Sequence, residues 1–293
     1  MKIQGILPPI ATPFDHAGNL YVTKVQHNVE KWNKTTLTGY VVCGSTGEDV
    51  FLSTEEKSTL FELVAQYATP EKLLIAGTGM ESVKETLCLT NRAAELGYKA
   101  ALVRTPHYFK NQMTQPATQM LYYRAVADQA RIPVLLYNWP AMTGVDLPAA
   151  AAVALSEHPN IIGMKDSSGN IQRVMEVVRD ARPGFQLLVG SAPALWPSLL
   201  MGASGGILAF ANAAPYAAIA IWEAFRTREE DAARDWQGRV GRAAAMTAKY
   251  GVPGLKYAMD LNGYYGGPPR LPLSVPPPEA RKVIEDAFRD LKG

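Results

Sequence analysis

The stretch "IIGMKDSSG" (161–169) places Lys165 at the end of an apolar run that reads as a buried strand. Burial disfavours the charged form of a lysine, so this position is costly unless the amine has a use. A desolvated amine is a nucleophile. It attacks a ketone or aldehyde to give a Schiff base, and the protonated imine then serves as an electron sink for carbanion chemistry. Such chemistry needs a proton relay and donors for a substrate carboxylate. Candidates stand at the ends of other apolar runs: Ser45, Thr46 and Gly47 in "GSTGE", Tyr108 in "TPHYF", and Tyr137 in "YNWPAMTG". Two tyrosines bridged by a hydroxyl suit the relay. Thr46 and the N–H groups of the glycine-containing turn suit a carboxylate. Each signal has a plainer reading. Lys165 could snorkel to solvent or pair with Asp166. The tyrosines could be packing residues, and "GSTGE" could be a helix entry with Glu48 near its N-terminus. The coincidence at several strand ends favours chemistry.

The elements that must position these residues are visible as alternation. Continuous apolar runs at 5–11, 39–44, 73–77, 100–105, 132–138, 161–165, 186–190 and 205–210 have the pattern of parallel strands buried on both faces. Helical patterns lie between them. Ser53 and Glu56 form a capping box, and Gly97 is a helix stop. Further helices are expected at 114–130, 148–157, 170–181 and 193–201. Eight such units predict an α/β fold, a (β/α)8 TIM barrel over 1–225, with active residues at the C-terminal ends of its strands. An open doubly wound sheet competes, but no glycine-rich dinucleotide loop follows the first strand. Residues 226–293 are expected to form an appended helical segment. Helices at 213–226, 229–249, 253–261 and 277–291 lead into and make up that segment, with a loop at 263–273.

Composition narrows the class. The 293 residues carry a net charge of +2 without a basic block, so no nucleic-acid footprint is present. No apolar stretch is long enough to span a membrane. The four histidines lack the spacing of a catalytic zinc site, and no P-loop or G-x-S-x-G motif occurs; a magnesium site built from scattered carboxylates stays open at this point, although no acidic cluster falls at the strand ends. The two cysteines, Cys43 and Cys88, are expected as small buried thiols of a reducing cytoplasm.

Together "GSTGE", "TPHYF", "YNWPAMTG", "GMKDSSG" and "GASGGILAFAN" resemble the dihydrodipicolinate synthase / N-acetylneuraminate lyase family of pyruvate-dependent class I aldolases. The resemblance runs from "GILPPIATPF" to "RLPL" and implies a cofactor-free barrel, mostly assembled as a tetramer, a dimer of dimers. It implies Lys165 as the Schiff-base lysine and Tyr137 as general acid/base. Ser45 and Tyr108 would complete the relay, with Tyr108 often lent across a dimer interface. Thr46 and Gly47 would hold the pyruvate carboxylate, and Ile207 and Gly190 would line its pocket. Dihydrodipicolinate synthases carry arginine where this chain has Met142, and that arginine grips the aldehyde's carboxylate. Methionine cannot donate there. Within the family, "HPNIIGMKDSSG", "GSA" and "PGLKYAMDLNGYYGGPPRLPL" are similar to the mitochondrial, vertebrate-type 4-hydroxy-2-oxoglutarate aldolases, which implies Ser167 and Ser191 at the substrate's distal end. Thr46 departs from that group too, which has asparagine there, as does Met142, where it has a small polar residue. The expected reaction is therefore release of pyruvate and glyoxylate, with condensation of pyruvate and aspartate semialdehyde as the alternative. A sugar-acid aldolase or dehydratase and a non-catalytic 2-oxo-acid-binding paralogue are further alternatives. No arginine precedes Arg92, so the N-terminus does not look like a transit peptide, and a cytoplasmic protein is expected.

Overall fold

The structure, a computed structural model, describes residues 1–291. The chain alternates strands and helices as β1 (Gly5–Leu7), α1 (Val22–Asn33), β2 (Gly39–Val42), α2 (Thr54–Tyr67), β3 (Leu73–Gly77), α3 (Val83–Glu95) and β4 (Ala100–Arg104). It continues through α4 (Lys110–Met113), α5 (Pro116–Gln129), β5 (Val134–Asn138), α6 (Pro140–Thr143), α7 (Ala149–Ser156), β6 (Ile161–Asp166) and α8 (Ile171–Asp180). Then come β7 (Gln186–Val189), α9 (Leu195–Leu200), β8 (Gly205–Ile207) and the helices α10 (Pro215–Thr227), α11 (Glu230–Lys249), α12 (Gly251–Leu261) and α13 (Pro278–Phe288). All ladders are parallel, and their order runs from β2 through β8 to β1. The eight strands with their crossover helices make a (β/α)8 barrel, and helices follow it toward the C-terminus.

Closure between β1 and β2 is shorter than the sequence suggests. Pro8 and Pro9 have no N–H to donate, which ends β1 at Leu7. What remains are bonds from Thr38 N to Ile6 O (2.9 Å), Val41 N to Pro8 O (3.0 Å) and Ile10 N to Val41 O (2.9 Å). Likewise β8 stops at Ile207, because the chain turns into a short 3-10 helix at Ala209–Asn212. The barrel interior is filled by Leu7, Val41, Ile75, Leu102, Leu135, Tyr137, Leu188 and Ile207. Helix faces pack outside it. Val240, Leu255, Ile284 and Phe288 of the C-terminal helices share one apolar cluster with Phe210 and Ala211 beyond β8. The expected capping box is present, with Ser53 accepting from Glu56 N and Glu56 from Ser53 N. Gly97 ends α3 with φ of 85°, a conformation open to glycine.

Cys43 is buried as expected, but Cys88 is exposed. The reason is helical phase. The buried face of α3 carries Thr86, Leu89, Thr90 and Ala93, and position 88 falls off that stripe. No described helix is long and apolar enough to cross a membrane.

Candidate active site

Strand register does the first positioning. Arg104 of β4 pairs with Tyr137 of β5, and Tyr137 pairs with Lys165 of β6. Residues level on neighbouring parallel strands share a face, so three side chains with chemical capacity stand in one row at the strands' C-terminal ends. Alternation along β6 sends Asp166 to the opposite face from Lys165. There Asp166 accepts from Asn138 Nδ2 (2.9 Å) and lies 3.7 Å from Arg173. The plainer reading of Lys165 as a partner of Asp166 is thus overturned by the pleat itself. Among the described residues, no carboxylate stands within ion-pair distance of the Lys165 amine.

Lys165 is 3% exposed. Its Nζ lies 4.1 Å from the centre of the Tyr137 ring. Burial is the larger influence and pushes the amine down to about 7, while the negative charge of Asp49 acts in the opposite sense. A far larger fraction of the amine is therefore free at neutral pH than the roughly one part in a thousand of an exposed lysine. Tyr137 is also buried, which raises its phenol above the ordinary range against the opposing hydroxyls of Ser45 and Ser167. Its hydroxyl is 3.4 Å from Ser45 Oγ, a long contact of the kind that tightens when substrate binds. A phenol held protonated beside a free amine is the acid–base complement that imine formation needs. Tyr137→Phe is expected to reduce turnover by about 10²–10⁴-fold while leaving the melting temperature nearly unchanged, as steady-state kinetics and calorimetry would show.

The loop after β2 turns sharply. Ser45–Gly47 form a 3-10 turn, and Glu48 adopts the left-handed conformation with φ of 57°. Thr46 lines the main cavity, but Gly47 does not. The Gly47 N–H is taken by Gly44 O (2.8 Å), and its carbonyl accepts from Thr12 Oγ1 (2.6 Å). Glu48 does precede a second 3-10 turn, Asp49–Phe51, but its side chain makes no capping bond there. Its carboxylate meets Lys256 Nζ of α12 at 2.6 Å and accepts from Arg270 N at 2.8 Å. Arg270 in turn grips Glu56 through two nitrogens. The chain after the barrel thereby anchors the loop that presents Ser45 and Thr46.

The main cavity, about 370 Å³, gathers Lys165, Tyr137, Thr46, Ser167, Gly190, Ser191, Ile207 and Met142. Gly190 suits this place, because a Cβ would stand 2.8 Å from Ser167 Cβ and 3.0 Å from its Cα. Met142 is 63% exposed at the rim. Lys165 is the one ionisable amine or guanidinium among the described lining residues, and the rest of the wall is hydroxyl or apolar. Tyr108 is not brought to this site within the chain. It is 78% exposed and stacks edge-on against Phe109, at 5.3 Å between ring centres. Among the described residues, no three histidine, cysteine, aspartate or glutamate side chains converge as a metal-ligating group.

Three residues at the site escaped the sequence reading. Trp139 lines the cavity and stacks on Tyr137, at 6.4 Å between ring centres. Arg104 and Asp49 form a largely buried ion pair beside Ser45 and Tyr137. The signal for Arg104 was present, since it ends the apolar run "AALVR" as Lys165 ends "IIGMK".

Comparison with known proteins follows this geometry. The dihydrodipicolinate synthetase family model matches residues 2–290. The chain is 34% identical to 4-hydroxy-tetrahydrodipicolinate synthase of Exiguobacterium sp. over 270 residues, covering 92% of this chain and 91% of that protein. It is 33% identical to the probable mitochondrial 4-hydroxy-2-oxoglutarate aldolase of Emericella nidulans, covering 98% and 94%. Among solved structures, the chloride-inhibited dihydrodipicolinate synthase of Acinetobacter baumannii, complexed with pyruvate, superposes with a TM-score of 0.92 at 30% identity over 98% of each chain.

Proposed function

This chain belongs to the dihydrodipicolinate synthetase family of lyase-type enzymes, and from that premise we propose that it forms a Schiff base between Lys165 and pyruvate or a 2-oxo acid that yields pyruvate. The observation that carries the reading is the buried Lys165 amine set against the Tyr137 ring in the cavity wall, where burial lowers its affinity for a proton. Lys165 Nζ adds to the keto carbon, and Tyr137 donates the proton with which the carbonyl oxygen leaves as water. Removal of a proton from the substrate's hydroxyl then breaks the C–C bond, and its electrons pass into the imine to give an enamine. Protonation of that enamine and hydrolysis of the imine release pyruvate. Thr46 holds the pyruvate carboxylate, and Ile207 and Gly190 close around its methyl end. Tyr108 and Phe109, exposed together, suit a residue lent to the site of a second copy in a dimer of dimers.

The substrate that this cavity favours is 4-hydroxy-2-oxoglutarate, cleaved to pyruvate and glyoxylate. Ser167 and Ser191 supply hydroxyls for a short distal carboxylate, and Met142 supplies no cation for a longer one. The second reading, condensation of pyruvate with aspartate semialdehyde, is favoured by the names of relatives such as those of Exiguobacterium and Methanothrix thermoacetophila. The test is to mix protein with 4-hydroxy-2-oxoglutarate, without added metal, and follow products by mass spectrometry. Equal release of pyruvate and glyoxylate is expected, and it should vanish in Lys165→Ala. No release, with cyclised product from aspartate semialdehyde instead, moves the assignment to the second reading.

A further inference from the structure

Next to the main cavity lies a second, much smaller one, of about 10 Å³, lined by Ser45, Asp49, Arg104 and Tyr137 among others. Tyr137 is the one described residue common to both walls. Arg104 Nη1 is bonded to Asp49 Oδ2, with the two side chains 13% and 7% exposed. Among the described residues Arg104 Nε is buried without a hydrogen-bond partner, while Ser45 and Tyr137 face the same space. That space has room for about one water with polar neighbours to hold it. A buried ion pair is seldom a gain in stability over an apolar pair of similar volume. Its placement in register with Tyr137 and Lys165 therefore calls for another reason.

We infer that Arg104 and Asp49 are positioning residues for the reaction at Lys165: Asp49 places a negative charge beside the row Arg104–Tyr137–Lys165, and Arg104, bonded to it, is its counter-charge. The inference rests on the Schiff-base reading above. Its physical content is a matter of sign. The Asp49 carboxylate favours the charged form of Lys165, and a nucleophile must be uncharged. Arg104, paired with that carboxylate, opposes it in sign. Other charged or titratable groups around the pair come from each neighbouring element. Cys43 lies beyond β2 and Lys57 is on α2, and the charge of Asp49 acts on both. Tyr122 and Tyr123 of α5 feel Arg104, and Tyr137 of β5 feels both members. Among the described residues Lys57 is buried with only Met80 Sδ at 3.2 Å as a side-chain partner, so Asp49 is a carboxylate placed among Lys57, Arg104 and Lys165.

The test needs no knowledge of the second substrate. An enamine-forming lysine exchanges the pyruvate methyl protons for deuterium, which NMR follows over a range of pH. The acid limb of the wild-type exchange is expected near 7. In Asp49→Asn it should move down by about one pH unit, because a favourable charge is lost. In Arg104→Gln it should move up by a similar amount, because the carboxylate loses its counter-charge. The double variant should return to the wild-type position, and Arg104→Lys should stay there. Opposed shifts are not what a merely structural pair would give. Exchange-competent single variants with an unmoved limb, or with limbs moving the same way, overturn the inference. If Arg104→Gln does not fold, the direction of the Asp49→Asn shift decides alone. Wild type that neither exchanges nor gains a pyruvate adduct under borohydride overturns the Schiff-base reading instead.

Discussion

Lys165→Met is expected to abolish turnover, with a loss of more than about 10⁴-fold, and at the same time to make the protein more stable. The first half follows from removing the nucleophile. Borohydride with pyruvate should add one reduced adduct to the wild type, located at Lys165 by peptide mass spectrometry, and none to the variant. The second half follows from linkage. Burial lowers this amine from the ordinary 10.5 to about 7, so the unfolded chain binds a proton that the folded one resists. The folded-state value is depressed, so the charged form is what the fold penalises. That penalty is complete below pH 7 and shrinks as pH rises toward 10.5. At roughly 1.4 kcal/mol per unit, it amounts to about 4–5 kcal/mol at its fullest. Thermal unfolding of the two proteins should therefore differ by several degrees below pH 7, with the variant higher, and converge toward pH 10. Equal melting temperatures at all pH values would show that the lysine is not held uncharged, and the site would lose its nucleophile.

The largest expected loss of stability belongs to a residue far along the chain. Lys256→Met is expected to destabilise the fold by about 3–5 kcal/mol, because it strands the Glu48 carboxylate. Both side chains are 1% exposed, and their closest atoms are 2.6 Å apart. Burial lowers the Lys256 amine, and the facing Glu48 charge and hydrogen bond oppose that effect. The lysine also lies 4.5 Å from the Phe14 ring centre, so no water replaces the lost partner easily. Denaturant unfolding measures the loss. A companion effect is expected at the site, since Glu48 follows directly on Ser45, Thr46 and Gly47. Any folded fraction of the variant should show a raised KM for pyruvate, as the loop holding Thr46 loosens. The double change Lys256→Met with Glu48→Leu should recover much of the stability without recovering KM. If Lys256→Met alone costs less than about 1 kcal/mol, the C-terminal helices are not what anchors the loop.

The legible part of this protein lay in residues whose burial conflicts with their chemistry. Lys165 declared itself because an amine ends an apolar run, and the alternation of runs with capped helices was enough for a barrel. Periodicity alone placed the strands, and Ser53, Glu56 and Gly97 marked helix ends through local hydrogen bonding and backbone geometry. These are effects of near neighbours in sequence. The register that sets Arg104, Tyr137 and Lys165 in one row joins residues from three strands, and only the sheet decides it. The pleat, not the sequence order, separates Lys165 from Asp166. The same holds for Glu48, whose partners Lys256 and Arg270 lie some two hundred residues away. Tyr108 marks the complementary limit. Its motif was plain, yet within this chain its side chain stands exposed, since a hydroxyl joins a relay only where folding or a second copy brings a partner within reach. Sequence by itself determined the chemistry this chain can carry. Tertiary structure decided which charges meet, since electrostatic energy depends on distance and burial, and neither is a property of position along a chain.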